Sequence, residues 1–573
     1  MADKYNLRGF AMKFIRVNTL TNEITEAAAA SEYADLGGRG LTSSIISKEV
    51  HPRAYALGAD NKLVLAPGLL TGTSAPCSGR LSVGAKSPLT GTIKESNVGG
   101  LAGQYLAGHG ITALIFEGKP EREKCRILVI SQNEIKLEDK NSLRGLGNYA
   151  VVEELQREYG SQNVILSVGP AGEMGAAVAS IAGTDMEGRP SRHAGRGGLG
   201  SVLASKGIKA IVIAKPANPF VEAANARQFK ESAMEFARSL NESKKALRNY
   251  GTAVLVNSVN GVGGLPTRNF STGHNEEALH FCGERLHELC QERGGATGHP
   301  CSRGCAIRCS NVYHDEDGNY VTSGLEFETI VLLGSNCGLN NLDEIAKLDR
   351  LCDDLGIDTM EMGVTLGVTM EAGLMPFGDY TMMCEAIESV AKGTQLGKVL
   401  GQGATVTGKI LGVERVPAVK GQGMSAYDPR ALKGTGVTYA TSTMGADHTS
   451  GNALPGRGGL DCHKPDGQVK LSQELQTMTM VCDMLGICIF VGPLPENMPV
   501  MTTLFNSFGD RQAVPEDLMA MANKILSIET RFNHAAGITQ NDLPRFFRTE
   551  PLPNNNLVFD VDEEELKQIN FYC

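Results

Sequence analysis

Apolar residues along this chain change their spacing once, and the change divides it. Up to about residue 215 they come in short runs bounded by turn residues, at 9–18, 62–66 (Lys62-Leu63-Val64-Leu65-Ala66), 113–117, 126–131, 163–167 and 209–214. Such runs predict strands, with few strong helical stretches between them. After Pro216-Ala217-Asn218-Pro219, which reads as a linker, the spacing turns helical. Glu222 to Leu247 is rich in Ala, Glu, Lys, Arg and Leu, and 343–374, 380–400, 469–485 and 514–537 continue that character. Pro551, Pro553 and Asn554 to Asn556 predict a loosely structured C-terminal tail. No long internal repeat is visible. The expected fold class is α+β: a β-rich first domain at 1–215, a helical domain at 216–416 and a helical and loop domain at 417–573.

Composition narrows the function. At 573 residues the chain exceeds one ordinary core. Its net charge of −10 argues against a nucleic-acid partner, which needs a basic face to neutralise phosphates. The opening Met1-Ala2-Asp3-Lys4-Tyr5-Asn6-Leu7-Arg8 lacks the apolar core of a signal peptide, and no uncharged apolar stretch approaches the roughly 18 residues of a membrane span. A cytoplasmic location follows as an expectation. In that compartment the 14 cysteines are buried thiols or metal ligands, not disulfides.

Glycine is abundant, with 68 residues concentrated in the first 200 positions and again at 401–460. Several glycine loops carry arginine: Gly37-Gly38-Arg39-Gly40, Ser78-Gly79-Arg80, and Arg192-His193-Ala194-Gly195-Arg196-Gly197-Gly198-Leu199-Gly200. Asn97-Val98-Gly99-Gly100 and Gly169-Pro170-Ala171-Gly172-Glu173 are further loops of this kind. Guanidinium forks beside exposed amides suit a phosphate-bearing cofactor, although glycine-rich loops also occur in plain β folds. The Arg192 loop lacks the G-x-G-x-x-G spacing of a dinucleotide site.

The densest chemistry is His299-Pro300-Cys301-Ser302-Arg303-Gly304-Cys305-Ala306-Ile307-Arg308-Cys309. Three thiols in nine residues suit an iron–sulfur cluster, which needs a fourth thiolate from elsewhere; Cys488 is the best candidate. A zinc site or plain buried cysteines are the alternatives, and zinc would prefer two close ligand pairs. Cys488 closes one of two related hexads, Asp353-Asp354-Leu355-Gly356-Ile357-Asp358 and Asp483-Met484-Leu485-Gly486-Ile487-Cys488. Both read D-x-x-G-I-(D/C) near a helix end, where glycine frees amides and a carboxylate can accept from ring NH groups. Two such loops could clasp two copies of one ligand.

These motifs together resemble the aldehyde ferredoxin oxidoreductase family over nearly the whole length. The resemblance implies a β-rich base domain with two mostly helical domains closing over it. It implies tungsten, or molybdenum in its place, held by two molybdopterins without a protein side-chain ligand, Mg2+ bridging the pterin phosphates, and one 4Fe-4S cluster. Cys301, Cys305, Cys309 and Cys488 resemble the cluster ligands. Asp353, Gly356, Ile357 and Asp358 resemble the loop holding one pterin; Asp483, Ile487 and Cys488 resemble the loop holding the other. Arg80 resembles the arginine between cluster and pterin. Asn97, Gly99 and the Arg192-His193 backbone resemble the contacts to phosphates and magnesium. Glu328, in Leu325-Glu326-Phe327-Glu328, and His448, in Gly445-Ala446-Asp447-His448, resemble the pair beside the metal, with Glu326 as the substitute in a shifted register.

Three positions depart from the family pattern. The cysteine run is C-x3-C-x3-C where the best-known members have C-x2-C-x3-C. Lys347 and Arg350 stand where those members bind an iron between subunits, which implies that any homo-oligomer lacks that iron. Ser450 replaces an expected Lys near the pocket. The resemblance implies interconversion of aldehydes and carboxylic acids, with Glu328 as acid/base, His448 bonding the substrate oxygen, and electrons leaving to ferredoxin or an iron–sulfur partner subunit. The alternatives are reduction of an activated acid or aromatic ring, and a cluster-bearing electron-transfer or scaffold subunit without pterin.

Overall fold

The computed structural model describes residues 12–218, 220–569 and 571. Residues 9–11 of the first predicted strand and Pro219 of the linker lie outside the described residues.

Residues before 214 form two six-stranded sheets on one plan. The first contains β1 (Lys13–Asn18), β2 (Glu23–Ala28), β3 (Leu63–Pro67), β4 (Leu81–Lys86), β5 (Ile93–Val98) and β6 (Ile111–Glu117), in the order β2-β1-β6-β3-β4-β5. The second contains β7 (Arg126–Ile130), β8 (Ile135–Asp139), β9 (Val164–Ser167), β10 (Ile181–Gly183), β11 (Arg192–Ala194) and β12 (Ile208–Ile213). From its β8 edge it runs β8-β7-β12-β9-β10-β11. In each sheet the first strand pairs antiparallel with the second and parallel with the last. The other three strands then follow antiparallel from that last strand. Helices sit at matching places: Gly38–Glu49 and Asn148–Tyr159 after the hairpins, Ala102–Gly108 and Leu199–Ser205 before the last strands. The repeat that the sequence hides is present in the backbone. It escapes detection because the halves share strand order but not residues.

β3, β4 and β12 are buried along their whole length, whereas the edge strands β2 and β8 carry exposed Glu and Lys residues. This is the pattern expected of central strands covered on both faces and of edges blunted by charge. Leu63, Leu65 and Val83 of the first sheet share one core with Leu128, Leu166 and Ile211 of the second.

Beyond residue 220 the chain is mainly helical, giving an α+β protein whose mixed sheets come first. The stretch 343–374 is two helices, Leu342–Leu355 and Thr359–Glu371, broken at Gly356, whose φ of 72° ends the first. The cysteine run lies in a loop of a small antiparallel sheet, between β13 (Ala296–His299) and β14 (Ser310–His314), with β15 (Tyr320–Ser323) beyond. The C-terminal stretch is packed, not loose: Phe559, Val561, Leu566 and Ile569 are buried, and Lys433 Nζ donates to the Val558 carbonyl at 2.8 Å. The prolines and asparagines mark a turn, and the apolar alternation after it seats the chain. No helix among the described residues is long and apolar enough to cross a membrane.

Candidate functional site

Each sheet seats one hexad. A Cβ at Gly68, just after β3, would lie 2.0 Å from Gly486 Cα; one at Gly169, two residues after β9, would lie 2.2 Å from the Leu355 carbonyl oxygen. Only glycine admits so close an approach of two backbones. Backbone hydrogen bonds fasten both contacts. Leu69 and Leu70 donate to the Met484 and Leu485 carbonyls, and Arg80 donates to Gly486. Ser180 donates to Gly356, and Asp358 donates to Val178. Ile357 and Ile487 are buried in the core and anchor the two loops.

The carboxylates differ in their partners. Asp353 stands 3.1 Å from His193 Nε2, and Asp358 lies 3.2 Å from Arg196 Nε while capping the next helix through Met360 N–H. Asp483 lies 3.3 Å from Arg39, a fully buried guanidinium whose second carboxylate partner is Glu529 at 2.7 Å. Burial and the neighbouring Glu95 push the Asp483 carboxyl well up, against the pull of Arg39. Arg39 and Arg196, expected from their glycine loops to face a phosphate, instead pair with carboxylates, and the sequence reading did not single out Glu529.

The four cysteines singled out converge. Cys309 and Cys488 are buried, while Cys301 and Cys305 are half-buried and in contact with each other. Burial opposes the charge of Arg80, and Cys488, Cys301, Cys309 and Cys305 all favour it, so the thiols stand around one guanidinium. Among the described residues no three His, Cys, Asp or Glu side chains are placed to hold a single metal ion. The thiols gather around Arg80 and do not focus on a point. Arg192 approaches the same region: it donates to Ser310 Oγ at 2.7 Å and lies within electrostatic reach of Cys301 and Glu326. A Cβ at Gly99 would meet Arg80 at 2.9 Å and Cys301 Sγ at 3.5 Å. Cys305 opens onto a cleft of about 520 Å³ lined by Arg248, Arg303 and Arg308.

Glu328 and His448 meet. His448 Nε2 stands 3.0 Å from Glu328 Oε1, Tyr427 donates to the same oxygen at 3.0 Å, and Ser425 Oγ is 2.8 Å from His448 Nδ1. Burial raises the Glu328 carboxyl, but His448 and Tyr427 outweigh it and hold the group below its ordinary range. Glu326 faces elsewhere. It accepts from Thr252 at 2.6 Å, and burial lifts it to about 7 despite Thr252 and Arg192. Arg196 ties the pair to the first hexad, donating to Asp358, to Ser425 Oγ and to the Ala446 carbonyl. Lys94, buried in β5, holds Asp447 at 2.6 Å, next to His448. The polar sequence Ile93-Lys94-Glu95-Ser96-Asn97 of β5 was the available signal that this strand faces a site.

Residues 14–215 match the model of the aldehyde ferredoxin oxidoreductase N-terminal domain, and residues 229–569 match that of domains 2 and 3 of the same enzymes. The chain belongs to the aldehyde ferredoxin oxidoreductase family. As a family member it is 34% identical to the tungsten-containing aldehyde ferredoxin oxidoreductase of Pyrococcus horikoshii, over 95% of this chain and 92% of that one. It is 33% identical to the enzyme of the same name from Pyrococcus furiosus, over 94% and 92%. The aliphatic sulfonate oxidoreductase, WOR-like subunit, of P. furiosus is 26% identical over 74% of this chain and 72% of its own. Among solved structures, the active site complex BamBC of benzoyl coenzyme A reductase superposes with a TM-score of 0.80 at 17% identity, over 97% and 92% of the two chains, a likeness of fold. This aldehyde ferredoxin oxidoreductase family member is an oxidoreductase of that type.

Proposed function

We propose that the protein oxidises aldehydes to carboxylates with a tungsten, or molybdenum, bis-molybdopterin and passes the electrons through a 4Fe-4S cluster. The reaction adds one water oxygen and releases two electrons and three protons. The carrying observation is the sealed Glu328–His448 pair, joined through Ser425 and Arg196 to the first hexad.

The residues fit the cofactors. Arg80 Nε, Arg192 Nε and Asn97 Oδ1 are sealed from solvent without a hydrogen-bond partner, a cost of about 1–3 kcal/mol each that a large polar group would relieve. Cys301, Cys305, Cys309 and Cys488 would hold the cluster, the two hexads would hold one pterin each, and Asn97, Gly99 and the Arg192-His193 backbone would face the phosphates and Mg2+. When bound, the metal supplies two-electron acceptance and the cluster passes electrons on singly.

The protein's own part is proton handling. Glu328, ionised at neutral pH, takes a proton from water as it adds to the carbonyl carbon. His448 Nε2, released from Glu328 by that transfer, donates to the oxygen on which charge develops. Arg248, Arg303 and Arg308 have no carboxylate partner among the described residues, and the cleft over Cys305 suits an acidic electron carrier such as ferredoxin.

Glu328→Gln tests this reading. Turnover of an aldehyde panel with a ferredoxin or viologen acceptor should fall at least about 100-fold while iron and tungsten contents hold, and Glu326→Gln should keep most activity. Full activity in Glu328→Gln would remove the assignment.

A further inference from the structure

A fifth thiol stands at the cysteine site. Cys77 is buried, and its backbone joins both loops that carry the others: its N–H donates to the Gly304 carbonyl at 3.0 Å, and its carbonyl accepts from Cys488 N–H at 2.9 Å. Its thiol lies within interaction range of the Cys305 thiol. Two residues on, a Cβ at Gly79 would meet Ser302 Oγ at 2.8 Å, so the whole segment lies flush against the cysteine run. Lys244 lies within electrostatic reach of Cys77 and Cys488 together.

The backbone of Cys77 is itself unusual. Its φ of 57° is left-handed, a conformation that costs a non-glycine residue about 1–2 kcal/mol and that persists where the surroundings impose it, often at ligand clamps. Glycine would adopt this φ without strain, yet the position holds a thiol beside a site that uses thiols. The nearby Arg80, amid these thiols, has a sealed and unpartnered Nε that calls for an acceptor.

We propose that Cys77 is a reserve ligand of the cluster, placed to take the corner held by Cys305. This inference rests on the cluster reading above. Cys305 is the thiol that lines the open cleft, hence the one most exposed to loss, and the buried Cys77 lies within interaction range of it. The exchange breaks the iron–sulfur bond to Cys305 and forms one to Cys77. The Cys77 proton passes to the departing Cys305 sulfur, and no electrons move.

Iron and acid-labile sulfide per chain, with electron paramagnetic resonance of the dithionite-reduced protein, test it on four anaerobically purified proteins. Wild type and Cys77→Ser should each carry about four irons. Cys305→Ser should keep about four irons with shifted g-values, and the double variant Cys77→Ser/Cys305→Ser should lose at least one iron per chain and the four-iron signal. Cys305→Ala, which leaves no oxygen to bind iron, should behave as Cys305→Ser does, and circular dichroism checks that each variant is folded. Equal iron in Cys305→Ser and the double variant, whether retained or lost, overturns the inference and leaves the cluster reading standing. A wild type without iron overturns both.

Discussion

In the first half of the β-rich region the glycine after β3, Gly68, seats a loop ending in Cys488; in the second half Gly169, after β9, seats one ending in Asp358. The two contacts use the same device, a glycine pressed against the glycine turn of a D-x-x-G-I hexad. They diverge only in side chains. The first loop is tied by Arg39 to Glu529 and faces the thiols through Cys488; the second is tied by His193 and Arg196 and faces Glu328 through Ser425 and His448. One strand plan used twice thus gives two equivalent loop contacts, one ending beside the thiols and the other tied through Arg196 to the Glu328–His448 pair.

The sharpest break of this comparison exchanges the residue closing each hexad. Cys488→Ser should lose at least half of the bound iron, while Asp358→Asn should keep all of it, both read by elemental analysis. Iron unchanged in Cys488→Ser would remove that residue from the ligand set and erase the difference between the halves.

Next in size is the buried charge. Arg39→Met leaves Asp483 and Glu529 unpaired in the interior and should cost about 3–5 kcal/mol of apparent stability in denaturant unfolding. His193→Asn, at a half-buried contact, should cost about 1 kcal/mol. Similar losses would mean that the two loops are held with equal force.

Gly68→Ala and Gly169→Ala sharpen the equivalence. Each forces a methyl group into backbone and should cost about 3 kcal/mol, with the two values within about 1 kcal/mol of each other. A tolerated alanine at one site would show that only the other loop is clasped.

A further effect concerns pH. Glu361 accepts from Ala404 N–H and Gly423 N–H and lies 3.5 Å from Arg196; burial lifts it from 4.5 to about 6, with Asp358 adding to the rise and Arg196 opposing it. The folded state therefore favours its protonated form. That stability is fully present below pH 4.5 and is lost as pH rises through 6, a change of about 2 kcal/mol. Glu361→Gln should flatten this fall in a melting-temperature profile between pH 4 and about 7, and an unchanged slope would assign it to other groups.

The sequence made the apolar strands readable, because β3, β6, β7, β9 and β12 are dominated by Val, Ile, Leu and Ala. It hid β4 and β5, whose polar residues interrupt the apolar pattern; Lys94 and Glu95 are polar where β5 faces Asp447 and Asp483. The cysteine run and the hexads were legible, since their chemistry needs particular residues at fixed spacing. Cys77 was not, because its nearness to Cys305 is set by a fold that brings positions over 200 residues apart into contact. Arg39 and Glu529, 490 positions apart, were hidden for the same reason. The register of Glu326 and Glu328 is separated by structure: one side chain turns to Thr252, the other to His448.

On the proposed function, two equivalent loops grip two copies of one cofactor while one of them adds a cluster ligand. Elemental analysis of anaerobically purified protein, with released pterin quantified on the same sample, tests it most directly. The account expects about four irons, one tungsten or molybdenum and two pterins per chain. One pterin per metal would contradict the paired grip, and iron without pterin would contradict the proposed chemistry altogether.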